Sequence, residues 1–275
     1  SSFNFISAGP MEEEFSGAVA VGTKVVFAPH DANVVGVYDV STGTFDISVT
    51  TDTLTSKKKF CGAATVGTQV IFAPHDANVV GVYDVSTGTF DISISTDTLT
   101  SKKKFCGAAT VGTKVVFAPH DANVVGVFDL SGLSTGTFAI SVTTDTLTLN
   151  KKFFGAAAVR TKVVFAPHDA NVVGVYDVST GTFDTSGTSV PTGTLTSDFK
   201  FSGAAAVGTQ VVFAPCGENV VGVYDVSTGT FDTSVSTGTL TSAFKFSGAA
   251  AFGTKVVFAP YNEDVVGVYD LSTGT

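Results

Sequence analysis

The tripeptide Phe-Ala-Pro occurs six times in this chain, with its phenylalanine at positions 27, 72, 117, 165, 213 and 258. The steps are 45, 45, 48, 48 and 45 residues, so the fold must be assembled from one supersecondary unit used six times. The two longer steps carry insertions, SGLSTG at 131–136 and SGTSVPTG at 186–193. Each unit reads as four short apolar segments, typified by GAAAV, KVVFAP, VVGVYDV and FDISV. Between them stand VGT, PHDAN, STGT and a longer Thr/Ser/Lys stretch. Short β-branched runs separated by Gly- and Asp-bearing turns are hairpin strands, and four antiparallel strands in one unit make a propeller blade.

The two ends complement each other. The last copy stops at LSTGT, residues 271–275, where its fourth strand is due, and the chain opens with a strand-like FNFIS at 3–7. The step from Phe258 through the termini to Phe27 is 44 residues, close to one period. The expectation is an all-β chain forming one domain over 1–275. It is a closed six-bladed β-propeller with four antiparallel strands per blade, whose N-terminal strand completes the last blade. Such closure removes the sheet edges that invite aggregation.

Composition narrows the function classes. Charged residues make up 14% and hydrophobic ones 44%, with a net charge of −9. An acidic chain lacks the basic face a nucleic-acid binder needs, so no nucleic-acid partner is expected. Arg160 is the only arginine, which removes most bidentate carboxylate and phosphate clamps, including the arginine cluster of sialidase-like propellers. No apolar run approaches the ~20 residues of a membrane span. Cys61, Cys106 and Cys216 form no dense framework and read as free thiols, which favours a soluble, cytoplasmic protein. The start, SSFNFISAGP, lacks an initiator Met and a signal-peptide pattern, which suggests a processed or trimmed terminus.

The unit SGAAAVGTKVVFAP…NVVGVYDVSTGTFD resembles the kelch repeat over essentially the whole chain. The likeness lies in a small-residue first strand, a G-x-K-hydrophobic second strand and a VYD third strand with its threonine-rich turn. Two features depart from kelch. Ala-Pro follows the second strand where kelch has a double glycine, and Phe45, Phe90, Phe138, Phe183 and Phe231 replace the kelch tryptophan. The wording of the repeat is also similar to repeat proteins of dinoflagellate algae. Kelch resemblance implies binding and scaffolding more than catalysis.

Antiparallel connectivity sorts the loops onto two faces. The VGT and STGT turns share one, and the PHDAN breaks and Lys-bearing connections share the other. The first face hardly varies; the second does, and variable loops on a rigid scaffold are where function usually sits. Lys57, Lys58, Lys59, Lys102, Lys103, Lys104, Lys151 and Lys152 crowd the first three connections, against single lysines Lys200 and Lys245 later. Glu12, Glu13 and Glu14 precede blade one. Copies five and six replace HDAN with Cys216-Gly217-Glu218-Asn219 and Tyr261-Asn262-Glu263-Asp264. One arc is therefore basic and the opposite arc acidic.

All four histidines stand in the breaks, as His30-Asp31, His75-Asp76, His120-Asp121 and His168-Asp169. As a metal site they look too dispersed, because packed sheets lie about 10 Å apart and metal–nitrogen bonds need about 2.0–2.1 Å. The alternative is a copied turn, its aspartate bonding nearby amides and Asn33, Asn78, Asn123 and Asn171 adopting positive φ. Asp39, Asp84, Asp129, Asp177, Asp225 and Asp270 recur once per blade and read as structural. No CxxC, HExxH, GxSxG or phosphate-cradling glycine motif is present, so the reading leans away from an enzyme. It favours a monomeric interaction or scaffold propeller that binds a protein partner through the His–Asp and Lys-rich loops. A multivalent glycan or small-ligand module is the alternative, and an enzyme or metal site at the channel mouth the second. No cofactor is expected beyond a metal at the His–Asp loops.

Overall fold

A computed structural model describes residues 14–131, 136–144, 146–184 and 190–275. Among these there are 23 strands and no helix. They form a six-bladed β-propeller, with five four-stranded antiparallel sheets and a three-stranded sixth, each built from strands in sequence order. The strand expected from residues 3–7 lies outside the described residues, as do 132–135 and 186–189 of the two insertions.

Blade two shows the plan. Its strands are Phe60–Val66, Gln69–Pro74, Val79–Asp84 and Thr89–Ser95. The turn between the third and fourth is clamped by Asp84, whose Oδ1 accepts the Ser86 amide at 2.8 Å and its hydroxyl at 2.6 Å. The equivalent aspartates Asp39, Asp129, Asp177, Asp225 and Asp270 each accept the amide two residues on. These once-per-blade residues hold turns.

The core lies between blades. Val26, Ala28, Val35 and Val37 of blade one pack on Phe60, Val70, Phe72 and Tyr83 of blade two, and the same pairing recurs through blades five and six. Within blade two, Phe60, Phe72 and Phe90 have ring centroids 5.6–6.4 Å apart. Gly81 is the third-strand residue beneath them, and a Cβ there would stand 2.8 Å from the Phe60 ring.

The inner strands approach one another closely around the axis. Each carries a bulge after its first phenylalanine, as between Phe60 and Ala63. Gly62 in that bulge has φ 92°, and a Cβ on it would lie 2.8 Å from the Cα of Gly107. The contact passes from Gly17 to Gly62, Gly107, Gly155, Gly203 and Gly248, but a Cβ on Gly248 meets only Ala259, at 3.9 Å. The sixth interface, between blade six and blade one, is therefore not packed among the described residues. Val266 and Val268 on blade six are 59% and 52% exposed, where their counterparts Val221 and Val223 on blade five are each 6% exposed.

The inner strands also overturn the reading of the cysteines as free. Cys61 and Cys106 occupy equivalent bulge positions on adjacent blades with Cα atoms 4.8 Å apart, and their sulfurs are bonded. A repeat that brings identical positions side by side turns one tolerated cysteine, once duplicated, into a pair at bonding distance. Cys216 alone is free, and it is buried. The cytoplasmic expectation thereby loses the free-thiol argument on which it rested.

Candidate functional site

The PHDAN breaks and the lysine connections do share a face, and they are stitched together across blade boundaries. Asp31 Oδ1 accepts the amide of Lys58 at 2.8 Å. Asp76 takes that of Lys103 and Asp121 that of Lys151, both at 2.8 Å, and Asp169 takes that of Phe199 at 2.9 Å. Each aspartate thus bonds the connection leading into the following blade. Main-chain bonds run beside it: Lys59 N to His30 O, His75 N to Lys59 O and Lys104 N to His75 O, all at 2.9 Å. The relay continues through His120, Lys152, His168, Lys200, Cys216 and Lys245 to Tyr261. At blade one, the Glu14 carbonyl takes the amides of His30, Asp31 and Ala32; Glu12 and Glu13 lie outside the described residues.

The turn reading is thus half corrected. The aspartates are structural acceptors, but for the next blade instead of their own turn. The left-handed residues are not Asn33, Asn78, Asn123 or Asn171. At the amides the breaks face, they are Lys58, Lys103, Lys151, Phe199 and Phe244, with φ between 52° and 58°; Asp52 and Asp97 earlier in two connections, and Arg160 elsewhere, are left-handed too. Phe244 shares this conformation although Gly217 stands in its break where the others have aspartate, so the strain belongs to the connection itself.

The histidines are also closer together than 10 Å sheet spacing implied. Ring centroids are 6.0 Å apart for His30 and His75, 5.8 Å for His75 and His120, and 6.1 Å for His120 and His168. Blades converge toward the axis, so loops at their inner ends do not keep the sheet-to-sheet distance. His75, His120 and His168 are buried. Each Nδ1 lies 3.1–3.2 Å from the adjacent carboxylate, but off the line of a hydrogen bond, and so has no partner. Desolvation lowers the pKa of all three, to about 4 for His120 and His168. At neutral pH these rings carry no charge. Among the described residues no group of three or more His, Cys, Asp or Glu side chains is placed to hold a metal ion.

The lysines divide into two kinds. Lys57, Lys58, Lys102 and Lys103 are exposed, whereas Lys59 and Lys104 are fully buried. Lys59 Nζ donates to the Ser56 carbonyl at 2.7 Å and to Asn33 Oδ1 at 3.1 Å. Lys104 Nζ donates to the Ser101 carbonyl at 2.7 Å. Lys152, Lys200 and Lys245 fill the same buried position. The single lysines of the later connections are thus structural, and only the first two connections present solvated cations in pairs.

Charge-based reading missed an aromatic arc on the same face. Phe199 and Phe244 stand where Lys58 and Lys103 stand in earlier copies, Phe154 replaces Cys61 and Cys106, and Tyr261 replaces histidine. The rings form a chain: Phe154 stacks on His168 at 5.4 Å, His168 meets Phe199 at 4.9 Å, and Phe199 meets Phe244 at 4.9 Å. Aligning the copies column by column exposes these exchanges directly.

No protein-family model matches the sequence, and no curated protein matches it. Among solved structures, a streptogramin B lyase is similar with a TM-score of 0.72 at 17% identity, covering 96% of this chain and 85% of its own. The WD40 repeats of RRP9 give 0.69 at 11% identity, covering 94% and 76%. A chain of the mitotic checkpoint complex gives 0.64 at 10% identity, covering 94% and 74%. At these identities the likeness is one of fold, the β-propeller. No helix among the described residues is long and apolar enough to cross a membrane.

Proposed function

We propose that this chain is a non-enzymatic, kelch-like interaction propeller that captures an acidic stretch of a protein partner on its His–Asp and lysine face. Similar folds occur in a lyase and in a mitotic checkpoint complex, so fold does not choose between catalysis and binding, and the surface supplies the support for this reading. One observation carries the reading. Lys57, Lys58, Lys102 and Lys103 are exposed on adjacent connections, and the backbone beneath them is fixed by the Asp31 and Asp76 bonds. Cations at a rim steer association and select partners of opposite charge more than they add raw affinity. A multivalent glycan module would instead present the four histidine rings alike, and three of the four are buried.

The test replaces Lys57, Lys58, Lys102 and Lys103 with serine while keeping the buried Lys59 and Lys104. A Glu-rich decapeptide and its Lys-rich counterpart serve as probes by biolayer interferometry. The native chain is expected to retain the acidic peptide in a salt-sensitive manner. The variant should lose about tenfold in affinity at an unchanged melting temperature. Undiminished capture by the variant, or equal capture of both peptides, sinks the reading.

A further inference from the structure

A cavity of about 260 Å³ opens on the same face, between blades three and six and away from the exposed lysine pairs. Its walls are mostly rings, with Phe154, His168, Phe199, Phe244 and Tyr261 among the lining residues. Phe154 enters from an inner-strand bulge, where the register shifts between Phe153 and Ala156, and bulges re-aim side chains in this way. The substitutions that build this cavity occur only in copies four to six. A multiplied turn cannot explain it.

The electrostatics of the lining have one sign. Lys151 is the only charged residue among the eleven that line the cavity. Its ammonium lies 4.5 Å from the centroid of the Phe199 ring and makes no ion pair among the described residues. Asp121 and Asp169 are engaged by the Lys151 and Phe199 amides, and Asp198, whose charge reaches His168, does not line the cavity. The two histidines in the wall carry no charge at neutral pH. An apolar cavity of ~150 Å³ holds one benzene ring, so this space suits one ring with a short substituent. Concave apolar sites with a few convergent polar groups are where small ligands bind.

We propose that this cavity binds a small aryl carboxylate, its ring held among Phe154, Phe199 and Phe244 and its anionic group paired with the Lys151 ammonium. The site goes beyond the partner-capture reading, since it uses the other arc of the face and none of the four exposed lysines. A cationic ligand is disfavoured because it would sit against Lys151 with no carboxylate in the lining. A neutral ring gains the apolar contacts and forgoes the ion pair.

The test uses three probes of matched size, 3-phenylpropanoate, 3-phenylpropanamide and phenethylammonium, titrated into the full chain at pH 7 by calorimetry and saturation-transfer NMR. The carboxylate is expected to bind, the amide about tenfold more weakly, and the cation not detectably. Lys151→Gln should bring carboxylate and amide to equal affinity. Phe199→Ala should abolish both, with its melting temperature recorded so that loss of fold is recognised. The serine variant at Lys57, Lys58, Lys102 and Lys103 should bind the carboxylate normally. Failure of that variant to capture peptide then bears on the partner reading alone. Equal binding of carboxylate and amide by the native chain, binding of the cation, or no binding of any probe overturns the proposal. So does an unchanged carboxylate preference in Lys151→Gln.

Discussion

Lys59, Lys104, Lys152, Lys200 and Lys245 are each fully buried and send their ammonium groups to main-chain carbonyls. Such burial is tolerated because the donors are satisfied, and it lowers the ammonium pKa, to about 8 for Lys104 and Lys152. The buried histidines follow the same physics with a more accessible readout. For His120, desolvation dominates, His75, His168 and Lys103 add repulsion, and Asp121 opposes them. A folded pKa of about 4 against an ordinary 6.5 means the unfolded chain binds more protons between those values. Stability is therefore complete above pH 6.5 and falls as the pH drops toward 4. The loss approaches on the order of 3 kcal/mol per ring. Asp31, Asp39 and Asp84 have pKa values lowered from 3.8, so they act only below that window. Urea midpoints are expected to decline from pH 6.5 downward, and a His120→Asn/His168→Asn variant should flatten the decline. A curve that is level to pH 4 shows the rings are not held neutral by burial. Sequence alone marked these residues by their placement in the breaks, but not their burial, because four near-identical strings carry no sign of how near the axis they run.

At the scale of elements, the aspartate after each histidine is the clasp between a break and the next connection. Asp121 Oδ1 holds the Lys151 amide, the backbone beneath the one cation of the aromatic cavity. A hydrogen bond to a charged acceptor contributes about 1.5–3 kcal/mol. Asp121→Ala should cost that much in denaturant titration, and Asp121→Asn, which keeps an acceptor oxygen, less than half of it. Equal costs would show that the oxygen at this position does not hold the blades. Strand boundaries and turn chemistry were legible because VGT, STGT and PHDAN punctuate every copy. The destination of the aspartate bond was not, since its partner lies 27 residues on in Asp31 and 30 in Asp121, and no local turn rule reaches so far. The disulfide was hidden for the same reason: only the folded ring shows that a 45-residue separation is a neighbour contact at the axis. The aromatic arc was hidden differently. Ranking the copies by charge placed the interest on the lysines and passed over Phe199 and Phe244, which mark lysine columns by losing charge, and Phe154, which fills a cysteine column.

The whole molecule repeats one interface, the valine and alanine face of one blade against the phenylalanine face of the next. Val37, Val82, Val127, Val175 and Val223 are 5–8% exposed at five such interfaces, while Val268 on blade six is 52% exposed. The repeat makes these six valines equivalent in sequence, so only the ring geometry distinguishes them. Removing two buried methyl-sized groups costs about 1.6 kcal/mol in transfer plus a cavity contribution, so Val223→Ala should lose about 2–3 kcal/mol. Val268→Ala has half its surface in solvent and leaves no enclosed cavity; it should lose under about 1 kcal/mol. The pair is read by equilibrium unfolding of two variants whose chemistry is identical. An equal loss would mean that blade six is covered in solution as thoroughly as blade five, and that blades six and one meet. The predicted difference would make their boundary the weakest in the ring, and local opening begins where the fewest apolar contacts must be broken. Hydrogen exchange should then be fastest in the third strand of blade six, Gly267–Asp270, and slowest in its counterpart in blade three, Val124–Asp129, which has packed blades on both sides.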